Sequence, residues 1–459
     1  MRRILAIAIL TVRHAVRSRG FAALLALLLL CLFGIPRTIT GDGTLRGYVT
    51  VLLNYTLGFA VVLLATATAW SGCAAAATEI ADRRIHLLAV KPVHRWQIWL
   101  GHWLGIVALD AAILAVVGLA AWGCLRWAVR PARLTPAERR LAADDIFTAR
   151  RVVPPVLGLD DERLRRFVAE LRRRGEFPAE LPPAQALAAV RARLATEALT
   201  VPAGHMRRWV FRVPPNLRQA PELTLRWRYA SAHENDAGHL RLTWIAGPPD
   251  ATNRTSCTVT GYPNLAQETR LPGSALAPDG TLTLDVVNAD TQAPQAIVFY
   301  ADDGLELLIP AGGFAANCLR ALLVVWCFLA LLAALGETAG CVFSLPVAAF
   351  LVLAAMIVMA FSHYIATVVS TGIFFVPHDR PMPTPTTLDR LTLALFDGLD
   401  FFVRPLTGFD PLGLLAQGRV VPWAAVGRAF LFFVVTGGGA VFAVGALLFN
   451  RRELALPTE

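Results

Sequence analysis

Six long apolar runs punctuate the chain, at Phe21 to Ile35, Tyr48 to Ala74, Ile98 to Cys124, Leu319 to Leu335, Val342 to Ser370 and Trp423 to Leu448. About 20 predominantly apolar residues cross roughly 30 Å of hydrocarbon as a helix, which satisfies its own backbone hydrogen bonds. The runs predict six transmembrane helices, separated between the third and fourth by a polar insert, Trp127 to Asn317. Inside the insert the period changes. Leu164, Phe167, Val168 and Leu171 repeat as on an amphipathic helix, with Asp160, Asp161 and Glu162 suited to its start and Arg172 to Arg174 to its end. Leu187, Val190 and Leu194 mark a second helix after Pro182 and Pro183. From His205 the alternation is of period two: Trp209, Phe211, Val213; Leu223, Leu225, Trp227, Tyr229; Leu240, Leu242, Trp244; Leu282, Leu284, Val286. Such alternation predicts half-buried strands, and Asp279-Gly280 is a hairpin signal ahead of the last set. About eight short strands of this kind suggest an antiparallel β-sandwich of jelly-roll type. It ends at Leu305 to Ile309, and Pro310-Ala311-Gly312-Gly313 leads into the fourth run.

The expected fold class is an α-helical polytopic membrane protein with an extracytoplasmic α+β insert ending in that sandwich. Residues 1–126 hold an amphipathic start and helices 1 to 3, with a loop at 78–97. Residues 127–204 form the helical part of the insert and 205–315 the sandwich; 316–459 hold helices 4 to 6, an outer loop at 371–422 and a tail. The first run ends in Gly34-Ile35-Pro36 without a small-residue cleavage pattern, so it is expected to remain as a span.

Composition agrees, with 56% hydrophobic and 17% charged residues in 459. Charge sets the orientation. Arg2, Arg3, Arg13, Arg17 and Arg19 precede the first run; Arg83, Arg84, Lys91 and Arg95 lie between the second and third; Arg451 and Arg452 follow the sixth. The positive-inside rule places these segments, and both termini, in the cytoplasm, and the insert outside. The net charge of +10 is shared between lipid headgroups and the insert, and no aromatic-interleaved basic stripe points to nucleic acid.

Much chemistry is missing from the chain. There is no G-x-x-x-x-G-K-[ST] loop, and Lys91 is the sole lysine, so P-loop hydrolysis of ATP is excluded. No H-E-x-x-H, clustered Cys/His spacing or G-x-S-x-G elbow supports a metal, redox or hydrolase reading. Of seven cysteines, Cys124 and Cys318 fall near the same membrane surface, where a bridge is conceivable but two buried thiols are favoured. Trp209, Trp227 and Trp244 run in phase with the aliphatic residues of their strands, so core packing is favoured over a sugar-binding platform. Among the polar residues in or at the apolar runs, His102, Asp110 and His363 are candidates for a role inside the membrane. An ionised carboxylate at mid-span costs roughly 2.5 to 3.5 kcal/mol on insertion scales, so Asp110 should face protein or a water path. It either hydrogen-bonds a neighbouring span, which is favoured, or binds a proton or cation.

The stretch Thr78 to Gly101 is the most specific local feature. It reads as helix, proline break, helix: Glu79, Asp82, Arg83 and Arg84, a small apolar face at Ile85, Leu87 and Leu88, then Lys91, the break at Pro92, and re-entry at Arg95 and Trp96. Thr78-Glu79, Leu87-Leu88, Pro92-Val93-His94-Arg95 and Leu100-Gly101 resemble the loop between the second and third spans of the membrane subunit of type-two ABC exporters. Leu5 to Arg19, Ser344 to Ala348, Gly418-Arg419 and Leu448 to Leu454 extend the likeness through the membrane part. Two departures stand out: the family usually has a glycine near Arg84 or Ile85, and often a lysine where His102 stands. The segment Leu388 to Leu415 resembles the re-entrant elements of such permeases, or is an amphipathic helix lying on the membrane.

The resemblance implies a permease subunit of a bacterial cytoplasmic-membrane transporter, not itself an enzyme, paired with an identical or different second permease subunit and served by a separate ATPase. That ATPase would hold ATP and magnesium, with no cofactor on this chain. Glu79, Asp82, Arg83, Arg84, Leu87, Leu88, Lys91, Pro92, Arg95 and Trp96 would form the ATPase-coupling loop. Two rivals stand beside it: an ATP-driven force-transmitting complex acting on envelope partners, and a membrane-anchored carbohydrate-binding protein.

Overall fold

The computed structural model describes residues 1–38, 45–82, 94–130, 135, 146–174, 183–218, 220–231, 239–251, 254–288, 295–301, 303–371, 387–403 and 408–451. The chain divides into two compact units, a helical one from Met1–Ala149, Gly312–Val369 and Thr386–Glu459, and a second built on Arg150–Ala311.

The helical unit opens with α1 (Arg2–Arg17) and α2 (Arg19–Thr38), bent by 67° at Ser18. Then come α3 (Leu45–Ala81) and α4 (Arg95–Ala128). After the insert follow α7 (Phe314–Val342), α8 (Leu345–Ala360), α9 (Ser362–Thr371), α10 (Thr387–Val403), α11 (Pro411–Ala416), α12 (Trp423–Ala429) and α13 (Gly439–Arg451), the insert's own helices being α5 and α6 below. Among the described residues four helices are long and apolar enough to cross a membrane: Gly47–Ala81, Arg95–Ala128, Phe314–Val342 and Trp423–Arg451. The α1/α2 pair passes the same test when taken together, and α8 is a shorter apolar helix. The run expected over Val342 to Ser370 is therefore subdivided. Val342 closes α7, Ser344 and Pro346 open α8, and the helix is interrupted again at Phe361. The last span carries a π-helical stretch, Phe430–Gly438, between α12 and α13.

Small residues decide which helices touch. A Cβ on Gly72 of α3 would sit 2.9 Å from the Ala333 carbonyl oxygen, and one on Gly336 of α7 would sit 2.8 Å from that of Ala69. The two backbones are thus in close approach, as small-residue faces allow in lipid. Likewise α1 lies against α4 where Gly101 and Gly105 receive Ile7, Ala8 and Thr11. Indole hydrogen bonds tie α4 to α7 in both directions, Trp103 Nε1 to Ala330 O (2.8 Å) and Trp326 Nε1 to Val107 O (3.0 Å).

The bundle has two distinct ends. At one, the start of α7 meets the segment before α12: Asn317 donates to Arg419 O and accepts from Val421 N, both at 2.7 Å. Thr50 at the start of α3 donates to Ala416 O, and Arg126 at the end of α4 stacks on Trp122 and Phe147. At the other end lie α1, the end of α3, the start of α4, the end of α7 and the end of α13. The end of α4 and the start of α7, which flank the insert in sequence, lie at the first end, and the end of α3 and the start of α4 lie at the second.

The second unit begins with β1 (Thr148–Val153), then α5 (Asp161–Arg173) and α6 (Pro183–Ala198). Both amphipathic patterns form as expected, and Leu164, Val168, Leu171, Ala186 and Val190 share one small core. Asp160 is the N-cap of α5, although its side chain makes no capping bond. The strands are β2 (Thr200–Val201), β3 (Met206–Arg212), β4 (Glu222–Trp227), β5 (Tyr229–Ser231), β6 (Leu240–Ala246), β7 (Thr255–Gly261), β8 (Gln267–Pro272), β9 (Thr281–Val287), β10 (Ile297–Phe299) and β11 (Leu305–Gly313). They form two four-stranded sheets, β1-β11-β4-β8 and β3-β9-β6-β7, and a three-stranded sheet β2-β10-β5. Inward-facing residues of both four-stranded sheets share one core, in which the Trp227 and Trp244 ring centroids are 5.6 Å apart. Gly280, at φ 89°, makes the turn into β9 that Asp279-Gly280 announced. Trp209, Trp227 and Trp244 are all buried, so they pack the core as their phase implied.

Candidate functional site

Several of the residues singled out in the loop, Arg83, Arg84, Leu87, Leu88, Lys91 and Pro92, lie outside the described residues. Its flanks are described. Asp82 follows directly on α3, and Trp96 is partly exposed on the first turn of α4. His94 caps α4 in a box with Gln97. Arg95 reaches the last turn of α13, where its Nη1 donates to Phe449 O at 2.6 Å and Asn450 O at 3.2 Å, while the guanidinium lies 5.8 Å from the Phe449 ring centroid. A cation on the unpaired carbonyls of a helix C-terminus is favourable for both hydrogen bonding and the dipole. Arg95 therefore pins the start of α4 to the end of the last span.

Glu79 and His102 come together. Glu79 sits in the last turns of α3, and His102 two turns into α4, facing it with Nε2 3.5 Å from Glu79 Oε1. The other ring nitrogen, Nδ1, is 2.9 Å from Oε1 of Glu337, on the last turns of α7. An imidazole is thus held between two carboxylates contributed by three different helices. Burial grades across the group: the Glu79 side chain is 29% exposed, His102 is 5% and Glu337 is 1%. Glu79 Oε2 and Glu337 Oε2 have no hydrogen-bond partner among the described residues, nor has the buried Trp99 Nε1 nearby on α4. The backbone packing explains the convergence. Gly336 and Gly340 draw α7 against Gly72 and Cys73 of α3, and Gly445 lets α13 approach Thr338 and Trp99.

Asp110 lies eight residues beyond His102 on α4, about 12 Å further along the axis. It is buried and accepts from Thr68 Oγ1 of α3 at 2.9 Å, with Oδ2 unpaired. This bond joins α4 to α3. His363 lies on α9, and its side chain is outside the described residues. Cys124 and Cys318 are free thiols, the first donating to Leu32 O.

Glu337 and Thr68 escaped the reading of the sequence. The fourth apolar run was ended at Leu335, which left Glu337 outside it; the flanking Gly336 and Gly340 were the available sign that a closely packed helix continued past that point. A second candidate, an open cleft of about 710 Å³ in the insert, is lined by Asp160, Glu162, Arg163, Arg166, Phe167 and Glu170 among others. Its charges are paired locally, Arg166 with Glu162 within the lining and Glu170 with Arg174 beyond it, and such exposed pairs hold little for a ligand. No protein family, curated protein or solved structure matches the chain.

Proposed function

We propose that the chain is the membrane-spanning permease subunit of an ABC transporter, coupling ATP hydrolysis on a separate ATPase subunit to substrate movement. The observation that carries the reading is the segment Thr78 to Gly101. It joins two long apolar helices at the bundle end that also holds amphipathic α1 and the end of α13. A basic, proline-broken connection at that place is the shape of a docking peg. The bent α1/α2 pair, α3, α4, α7, the α8/α9 pair and the α12/α13 segment are read as the six spans. The end bearing α1 is the cytoplasmic one of the inner membrane. In this reading a second permease subunit completes the transporter, and the insert lies outside.

The insert is read as a jelly-roll sandwich. The strand orders β1-β11-β4-β8 and β3-β9-β6-β7, closed over one core, are those produced by two Greek keys. Burial of its tryptophans lends no support to a carbohydrate platform, which favours gating, or contact with an envelope partner, as its task.

The test is pull-down of the chain from mild detergent, in which an ABC ATPase subunit is expected to co-purify. Arg83→Glu with Arg84→Glu, which reverse charge in the loop, should abolish recovery of the ATPase while leaving the permease monodisperse. Recovery undiminished by both changes refutes the docking assignment.

A further inference from the structure

We propose that Glu79, His102 and Glu337 form a proton-binding site inside the helical bundle, loaded from the end that bears α1. The inference goes beyond the permease reading and stands without it.

The argument is one of charge and geometry. Two carboxylates and one imidazolium sum to −1, and nearly all of that charge is buried. Uncompensated charge in such surroundings costs several kcal/mol, so the group reaches neutrality by taking one more proton. Nothing else among the described residues supplies the missing positive charge. From α7 the neighbours are Thr338 and Cys341, from α1 Ile7, Ala8 and Thr11, and from α13 Gly445 and Phe449. At the α3 side the titratable side chains are Cys73 and, three residues beyond Glu79, Asp82, neither of which brings positive charge; along α4 it is Asp110, which is held by Thr68. Arg95, on the first turn of α4, is engaged with the end of α13. A metal ion is a poor substitute, because the two ring nitrogens diverge toward separate carboxylates and do not converge on one centre. No group of three or more ligating side chains is arranged for a metal among the described residues.

The same divergence suits a proton. An imidazolium that donates one N–H to each carboxylate already carries both ring protons, so the additional proton rests on a carboxyl oxygen. Arriving from water at the partly exposed Glu79, it finds there an oxygen without a hydrogen-bond partner, Oε2, and the imidazolium then balances Glu337. Withdrawing Glu79 from His102, as a displacement of the end of α3 does, leaves a balanced His102–Glu337 pair. The extra proton then returns to water.

The site is read by infrared spectroscopy of the full chain in lipid nanodiscs, in D₂O near neutral pH, following the carbonyl band of protonated carboxyl groups. Besides the buried Asp110 carboxyl, the wild type should show one carboxyl equivalent that is lost in Glu337→Gln and equally in Glu79→Gln, since either change lets the remaining carboxylate pair with the imidazolium alone. Asp110→Asn should leave that equivalent in place. If the equivalent survives both glutamine substitutions, or is absent from the wild type, the group is a permanently ionised clasp and the proposal fails. Should Glu337→Gln not yield monodisperse protein, the difference between wild type and Glu79→Gln decides alone. Glu79 lies at the partly exposed mouth of the cluster, and a null difference overturns the proposal.

Discussion

Replacing Asp285 by Asn should unfold the insert at a markedly lower temperature, and the size of the effect follows from three hydrogen bonds. Asp285 lies on β9, between β3 and β6, with no exposed surface. It accepts from Arg208 Nε at 2.7 Å and Nη2 at 3.0 Å, and from Arg254 Nη1 at 2.7 Å. Arg254 also donates to Gly247 O and Ile245 O, so the clamp secures the connection between β6 and β7. Burial alone would raise the carboxyl of Asp285, but hydrogen bonds from Arg208 and Arg254, and their charges, outweigh it and hold the group below its usual range. Asn keeps the shape, removes the charge and turns an N–H₂ toward a guanidinium. Arg208 is nearly half exposed and rehydrates, whereas Arg254 is largely buried and stays without compensation. Breaking one side of a buried pair costs about 3–5 kcal/mol, and the lower part of that range, about 3–4 kcal/mol, fits a site with one partner able to reach water. For a unit of this size that is a fall of roughly 6–16 °C in Tm. The assay is thermal unfolding of the full chain in detergent, followed by the fluorescence of the buried core tryptophans. The sign with pH is fixed as well. A carboxyl whose folded value is depressed contributes fully above about pH 4, the unfolded value, and loses that contribution as pH falls through the folded one. The gap between wild type and Asp285→Asn should therefore be full at neutral pH and narrow in acid. A gap below about 1 kcal/mol at neutral pH, or one unchanged into acid, refutes the reasoning.

Gly336→Leu should disrupt the α3–α7 contact, since even a Cβ there meets Ala69 O at 2.8 Å and backbone must yield; the measurement is loss of the monodisperse peak in detergent, against a retained peak for Gly427→Leu, where a Cβ meets open space. Arg95→Ala should free the Phe449 and Asn450 carbonyls and fray the end of α13, by roughly 1.5–3 kcal/mol for charged hydrogen bonds, seen as faster amide exchange confined to the last turn before Arg451.

How far the sequence carried differs by element. The apolar runs at Tyr48 to Ala74 and Ile98 to Cys124 became α3 and α4 because a backbone in hydrocarbon has few other ways to satisfy itself. Period-two alternation placed Trp209, Trp227 and Trp244 inward because a strand has only two faces. The likeness at Ser344 to Ala348 falls where α8 opens, with Ser344 as N-cap and Pro346 in its first turn, whereas the apolar run begins earlier, at Val342; the break at Phe361 and the π-helical stretch before α13 left no trace in hydropathy. Asp110 was legible as a buried carboxylate needing a partner, whereas the identity of that partner, Thr68, was not.

Local pattern thus determined which segments are helix or strand and which face of each is buried, since both depend on neighbours within a turn or two of chain. The meeting of Glu79, His102 and Glu337, the pinning of α13 by Arg95 and the clamp of two arginines on Asp285 were settled only in three dimensions. They join residues far apart in the chain, and glycine-lined helix faces and strand register, which hydrophobic periodicity does not encode, bring them within a few ångströms.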